Sequence, residues 1–383
     1  MRGFQMSPHG RLFSVIPLAV GAVLVAGLMS STAVRAAEVD QARIEASRKA
    51  AVAYLATTQS EDGSWTSSES PGITGLVTAA LLQSGVKPDE PVASKALKFL
   101  STFVKDDGGI YAATGNHGNY ETSISLMAFQ AANQDGRYND LIAKARDFIK
   151  KIQWDDENGI NSDDIKYGGA GYGRSMDRPD LSNTAFLLDA LRAAKVADDD
   201  PAFKKALVFV SRCQNLESQN NTTPFASKVN DGGFYYTPAA GGSSPAGKED
   251  NGGLRSYGSM TYTGLRSMIY AGVGPDDPRV KAAVQWVKKH YTLEENPGMG
   301  QGGLYYYYHT FAKALDALKS DKFVDGKGVE HNWRRELAEH LVSRQKENGS
   351  WVNSEKRWME ADPNLVTAYA LLTFVYCSPP AAK

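Results

Sequence analysis

From residue 41 onward, apolar positions recur at helical spacing, in two alternating styles. The first style is Ala-x-x-aromatic-aliphatic. It occurs as Ala51/Tyr54/Leu55, Ala96/Phe99/Leu100, Ala145/Phe148/Ile149, Ala206/Phe209/Val210 and Ala283/Trp286/Val287, with Leu337/His340/Leu341 a degenerate sixth copy. Steps of three and four residues put these side chains on one helix face. Lys and Arg fill the rest of such segments, as in KALKFLSTFVK. The second style is apolar almost all round and rich in small residues, as in TGLVTAALL. A helix with a charged face meets water, and one apolar on every side is buried. The pattern therefore predicts six outer and six inner helices in alternation. No single pair can bury its own inner helix, so the whole set must close on itself. The expected fold class is all-α: an (α/α)6 toroid of two concentric rings. Strand periodicity is missing, and no linker is long enough to separate a second domain.

Each pair carries a turn signal. Four residues past the aliphatic position stands Gln59, Val104, Gln153, Gln214, Tyr291 or Gln345. A glycine turn follows: EDGSW, DDGGIY, YGGAGYG, NDGGFYY, QGGLYYYY, ENGSW. Thr74, Thr122, Thr184, Thr261 and Thr367 then open inner helices, with Phe311 in that place in the fifth pair. Every glycine turn joins an outer C-terminus to an inner N-terminus, so all should lie at one end of the ring. The long insertions 154–180, 215–257 and 291–304 fall at the same end, and the reverse connections read as short. Inner-helix N-termini aim free N–H groups and positive dipole ends at this rim. Loops on a rigid scaffold are where recognition and chemistry usually sit.

The first 40 residues break the pattern. Arg2 and Arg11 precede LFSVIPLAVGAVLVAGLM and then STAVRAAEVD. This is a secretory signal layout, with Val34 and Ala36 at the cleavage positions. The expectation is a signal peptide over 1–36 and one toroid domain over 37–383, secreted or periplasmic, with no stable membrane span after cleavage. An uncleaved anchor is the alternative, because the apolar run nears the ~18-residue threshold. An exported protein is allowed disulfides, but the repeat puts Cys213 and Cys377 at opposite ends of the fold, so both are expected free. The 383 residues carry a formal charge of −1 and 42% hydrophobic residues. That balance is ordinary for a soluble globular chain and offers nothing for nucleic acid to bind.

Two of the turns, YLATTQSEDGSW (54–65) and LVSRQKENGSW (341–351), contain Q-x3-G-x-W. This resembles the QW repeat of squalene-hopene and oxidosqualene cyclases. The six-pair layout is also similar to the β subunit of protein prenyltransferases. The resemblance covers about the whole chain after the signal and implies a toroid, not an activity. Gln59, Trp65, Gln345 and Trp351 are then structural. The cyclases protonate an alkene with D-x-D-D-T-A at the start of an inner helix. The matching stretch here is DLSNTA (180–185), where Ser182 and Asn183 replace the two later acids. A serine hydroxyl cannot protonate an alkene. The prenyltransferases hold zinc with D-x-C and a Y-H-T histidine. Tyr308-His309-Thr310 matches the last, but Tyr257 and Ser259 stand where the Asp and Cys should be. Neither is a usual zinc ligand, so no metal and no cofactor are expected. A thioester protein of similar fold would need C-G-E-Q, and the chain has none.

The rim nonetheless collects aromatic and polar residues. Tyr120, Asn183, Tyr257, Ser259, Tyr308 and His309 are the expected ligand-binding set, for a small molecule, a lipid or a glycan. Equally, the tyrosines could fill the centre of the ring to native density. The candidate catalytic residues are Glu121, Asp180, His309 and Arg255. Glu121 with Asp180 is the best carboxyl pair for a polysaccharide hydrolase, and His309 or Tyr257 with Arg255 could serve a lyase. The leading expectation is a binding or scaffold toroid without either chemistry of its relatives. The alternatives are a polysaccharide enzyme or a divergent terpenoid cyclase, an isomerase.

Overall fold

The computed structural model describes residues 41–173 and 178–378. By its contacts the chain divides into residues 1–45 and 46–383. The expected signal segment, and Arg174 and Asp177 of the insertion 154–180, lie outside the described residues. Within 46–383 the helices are α1 (46–58), α2 (Gly72–Gln83), α3 (Pro91–Ser101), α4 (Gly118–Ala132), α5 (Asn139–Lys151), α6 (Leu181–Ala193) and α7 (Pro201–Arg212). They continue with a short α8 (Ala226–Val229) inside an insertion, then α9 (Gly258–Tyr270), α10 (Pro278–Lys289), α11 (Leu304–Ala317), α12 (Trp333–Arg344) and α13 (Pro363–Cys377).

Helix α2 packs on α4, α4 on α6, α6 on α9, α9 on α11, α11 on α13, and α13 back on α2. That cycle is the closed inner ring. Helices α3, α5, α7, α10 and α12 each pack on an inner neighbour from outside. The chain is thus an all-α toroid. The repeat positions explain the layers: Ala51, Leu55, Ala96, Phe99, Leu100, Ala145, Phe148, Ile149, Ala206, Phe209, Val210, Ala283, Trp286 and Val287 are all buried. Three outer helices start at a Pro after Glu90, Asp200 or Asp277, and both aspartates accept an N–H of the first turn. Proline suits that position because its missing N–H would be unpaired anyway.

The turn signal is a three-part joint. Gln59 Nε2 donates to its own turn at Gly63 O and to Val92 O in the next outer helix, at 3.0 and 2.9 Å. Gln153 does the same to Gly168 and Ala202, Gln214 to Gly232 and Arg279, and Gln345 to Gly349 and Ser47, which closes the ring. The threonine is the third part. Thr74, Thr122, Thr184, Thr261 and Thr367 accept the N–H of Trp65, Ile110, Ala170, Phe234 and Trp351 at 2.9–3.1 Å. Trp65 and Trp351 each donate Nε1 back to the outer helix, at Leu55 O and Leu341 O. Each turn glycine must be glycine where it presses on the next pair. At Gly108 (φ +88°) a Cβ would sit 2.7 Å from the Lys144 carbonyl oxygen.

Two departures from the expected layout matter. The fifth turn, which like the second has no glutamine, is tied instead by Asn296, which accepts from Ser259 N and donates to Gly302 O. The α11–α12 connection is not short: it holds a two-stranded hairpin, Phe323–Val324 with Glu330–His331. Both cysteines are buried and free, and burial pushes both thiols up.

Candidate functional site

At the glycine-turn end the inner-helix N-termini surround a cavity of about 490 Å³. One ring comes from each of five inner helices or their caps: Tyr120 (α4), Phe186 (α6), Tyr257 (N-cap of α9), Tyr306 (α11) and Tyr369 (α13). Two pairs of these rings meet edge-on. Tyr120 meets Phe186 at 5.1 Å and 90°, and Tyr306 meets Tyr369 at 5.7 Å and 61°. Edge-to-face packing suits aromatic quadrupoles. Polar groups stand among the rings: Glu121, Ser182, Asn183, Ser259 and Glu360 line the same cavity, with Thr66, Ser67, Ser70 and His117 beside them. At its mouth Tyr172, Trp358 and Met359 are 40%, 43% and 54% exposed. Trp358 and Met359 both sit at positive φ, 55° and 63°. Left-handed backbone at two consecutive bulky residues costs about 1–3 kcal/mol each and concentrates at sites of function.

The cavity brings together five of the residues expected from the sequence: Glu121, Tyr120, Asn183, Tyr257 and Ser259. Glu121 has both oxygens engaged, Oε1 by Ser70 Oγ at 2.6 Å and Oε2 by Ala112 N at 2.9 Å. Asp180 stands behind the wall as the N-cap of α6. Its Oδ1 accepts from Asn183 N at 2.9 Å, and its Oδ2 from Asn183 Nδ2 at 2.8 Å. The Tyr236 hydroxyl also bonds to it, yet burial outweighs these bonds and pushes the carboxyl up to about 6. Ser182, which stands where D-x-D-D-T-A has its second Asp, shares a 3.0 Å hydrogen bond with the Tyr306 hydroxyl.

The other expected residues lie elsewhere. Consecutive helix residues turn by about 100°, so four tyrosines in a row cannot share a face. Only Tyr306 of Tyr305–Tyr308 lines the cavity. Tyr308 turns outward and donates to Leu293 O at 2.7 Å, with His340 Nε2 at 2.8 Å. His309 lies one turn deeper than Tyr306 and lines a different cavity, at the opposite end of the ring. Burial, then the Lys313 and Arg266 charges, hold its imidazole well below the usual range, so it is neutral. Arg255 is exposed on its insertion and paired with Glu249 at 3.0 Å. The Glu121–Asp180 pair does not face one space, and Arg255 reaches neither His309 nor Tyr257 by any hydrogen bond or ion pair. Among the described residues no three His, Cys, Asp or Glu side chains gather as a metal site requires.

Sequence reasoning missed Tyr369, Trp358, Met359 and Glu360. Glu360 is buried over the start of α11, where Oε1 accepts from Tyr306 N at 2.8 Å and Oε2 from Asn353 Nδ2 at 2.7 Å. Burial raises its carboxyl, against the pull of these N–H donors. The signal was available: a carboxylate shortly before an inner helix, as Asp180 is before α6.

The squalene-hopene cyclase C-terminal domain family matches residues 67–237. Among solved structures, that of type II terpene cyclase MstE from Scytonema (apo) superposes with a TM-score of 0.53 at 14% identity, covering 87% of this chain and 97% of that one. A variant of MstE in complex with merosterolic acid A (product) gives 0.52 at 15% identity, covering 88% and 97%. The fold is that of the squalene-hopene cyclase-like toroid superfamily. At these identities the structural likeness concerns the fold alone. No curated protein matches by sequence. Among the described residues no helix is long and apolar enough to cross a membrane.

Proposed function

We propose that this toroid is an exported binding protein that holds a small, largely apolar molecule with a polar end in the 490 Å³ cavity, without cyclising it. One observation carries the reading: a ring-lined cavity of ligand size in which Ser182, bonded to Tyr306, occupies the place of the acid. Tyr172, Trp358 and Met359 at the mouth would meet the apolar part. Ser259, Asn183 and Glu121 would meet the polar part. A lipid fits this lining better than a glycan, because ring faces with Ile73, Met260 and Leu365 make up most of its surface. The N-terminal signal pattern is the support for export.

Native mass spectrometry of protein from its own host tests the reading. A bound mass that Met260→Trp displaces, by filling the cavity, supports it. An empty cavity under all loading conditions would sink it. A second reading, a divergent terpenoid cyclase, rests on Asp180, a carboxyl still protonated up to about pH 6 and hydrogen-bonded to the cavity-lining Asn183. Linear polyprenyl compounds incubated with the protein decide between the two. A cyclised product that disappears in Asp180→Asn would replace binding with catalysis.

A further inference from the structure

The toroid has a second cavity, of about 410 Å³, at the C-terminal ends of the inner helices. Its walls carry Asp189 and Arg192 from α6, His309 and Lys313 from α11, Tyr270 and Tyr376. Arg266 from α9 stands beside them. Lys313 Nζ lies 2.8 Å from Asp189 Oδ2, and Arg266 shares the same oxygen at 3.1 Å. Lys313 and Arg266 are 6% and 3% exposed. Two buried cations therefore divide one carboxylate, and one positive charge is left over. Arg192 adds a third cation at the wall, itself bonded to Asp198 and to the Tyr270 carbonyl. Asp316, the next acid, is held by Arg334.

A surplus buried charge is costly unless something pairs with it. Tyrosine faces give part of the answer: Lys313 lies 6.0 Å from the Tyr376 ring and Arg266 5.7 Å from the Tyr270 ring. Helix ends give little. The C-terminal dipole acts within the last turn, and Asp189, Arg266 and Lys313 each stand just above it. Buried polar atoms also remain without partners: Arg266 Nε, Arg192 Nε, Asp189 Oδ1 and His309 Nδ1. Burial and then the Arg266 charge hold the Lys313 ammonium down at about 8, as an excess of positive charge should.

The geometry points to a second ligand site here. We propose that this cavity takes a small amphiphilic anion, its carboxylate or phosphate on Lys313 and Arg192 and its apolar body against Leu76, Met127 and Leu372. The site is separate from the one at the glycine turns and does not depend on the function proposed for it. Isothermal titration of the full chain tests it, with decanoate and decyl phosphate as probes and decanol and decyltrimethylammonium as controls. The anions should bind at least tenfold more tightly than decanol, and decanoate against decyl phosphate tells the two headgroups apart. Lys313→Met, which leaves Asp189 and Arg266 as a one-to-one pair, should fold and lose tenfold or more of the anion affinity. Arg192→Gln, at the partly exposed lip, should weaken it severalfold. Met260→Trp, which fills the other cavity, should leave it unchanged. Decanol binding as tightly as decanoate, or Lys313→Met and Arg192→Gln both binding decanoate as the wild type does, or Met260→Trp abolishing binding, would overturn the proposal.

Discussion

Asp180 makes folding depend on pH in a direction opposite to that of most surface carboxylates. Its side chain is buried, and its folded-state value of about 6 lies above the 3.8 of the free group. The native state therefore holds this proton more tightly than the unfolded chain does. Its contribution is fully present below about pH 4 and is lost as the pH rises through about 6. The interval from 3.8 to about 6, at about 1.4 kcal/mol for each tenfold in proton affinity, corresponds to about 3 kcal/mol. Asp180→Asn removes the titration and keeps an N-cap, since Asn accepts the Asn183 N–H as readily as Asp. Urea unfolding of wild type and variant at pH 4, 5, 6 and 7 measures the effect, because all other titrations cancel in the difference. The variant should gain relative to wild type by about 2.4 kcal/mol of this between pH 4 and pH 7, with most of the change between 4 and 6. A difference that is flat with pH, or a variant that loses ground as pH rises, would show that Asp180 is ionised in the native state. It would also remove the one observation that favours the cyclase reading.

The joints between repeats give three further tests. Gly108→Ala meets both a φ of +88° and the Lys144 carbonyl, whereas Gly85→Ala meets a φ of +99° with nothing within 4 Å. Strain alone costs about 1–3 kcal/mol and overpacking about 1–3 more, so thermal unfolding should fall clearly further for Gly108→Ala. Gln153→Leu leaves the Gly168 and Ala202 carbonyls without their donor, which should cost about 2–4 kcal/mol in urea unfolding. Tyr306→Phe removes the bond to Ser182 but keeps the ring, so stability should fall by only about 1 kcal/mol, with the retained ligand mass unchanged in native mass spectrometry.

The rings were legible because their signal is redundant. Five copies of one pattern, and a degenerate sixth, place Ala, aromatic and aliphatic side chains on one helix face, and five threonines mark inner-helix starts. The joint was legible only in part. Gln and Gly stood out, but that Gln59 reaches Val92 and Gln345 reaches Ser47 is a tertiary fact that no local pattern encodes. The site divides the same way. Tyr120, Asn183, Tyr257 and Ser259 were found because the repeat numbers the inner-helix starts. Tyr308 and His309 were misplaced because a residue's rank in the helix does not say which way it turns. Trp358 and Met359 were invisible for another reason: residues 352–362 lack any periodicity, and these two reach the mouth by a left-handed kink. The charge cluster had a signal that went unused. Arg266 in TYTGLRSMIY and Lys313 in TFAKALDAL are charges within helices otherwise built to be buried.

The two cavities are neighbours, and that bears on what the upper one can do. Phe186 lines both, and Ser182, Tyr306, Arg266, Asp189 and His309 crowd the partition between them. A cyclase must stabilise a carbocation inside its cavity. Here the surplus positive charge of Arg266 and Lys313 lies just beneath the floor, in a medium where charges a few ångströms apart interact by several kcal/mol. That field opposes a cation above it and tolerates a neutral ligand, which is the physical case for binding without turnover. An anion seated in the lower cavity would cancel the field and remove the objection. Polyprenyl incubations should therefore be run with saturating decanoate as well as without it. Absence of product under both conditions is the outcome that binding without cyclisation requires, and product only with decanoate present would show that the lower cavity switches the upper one on.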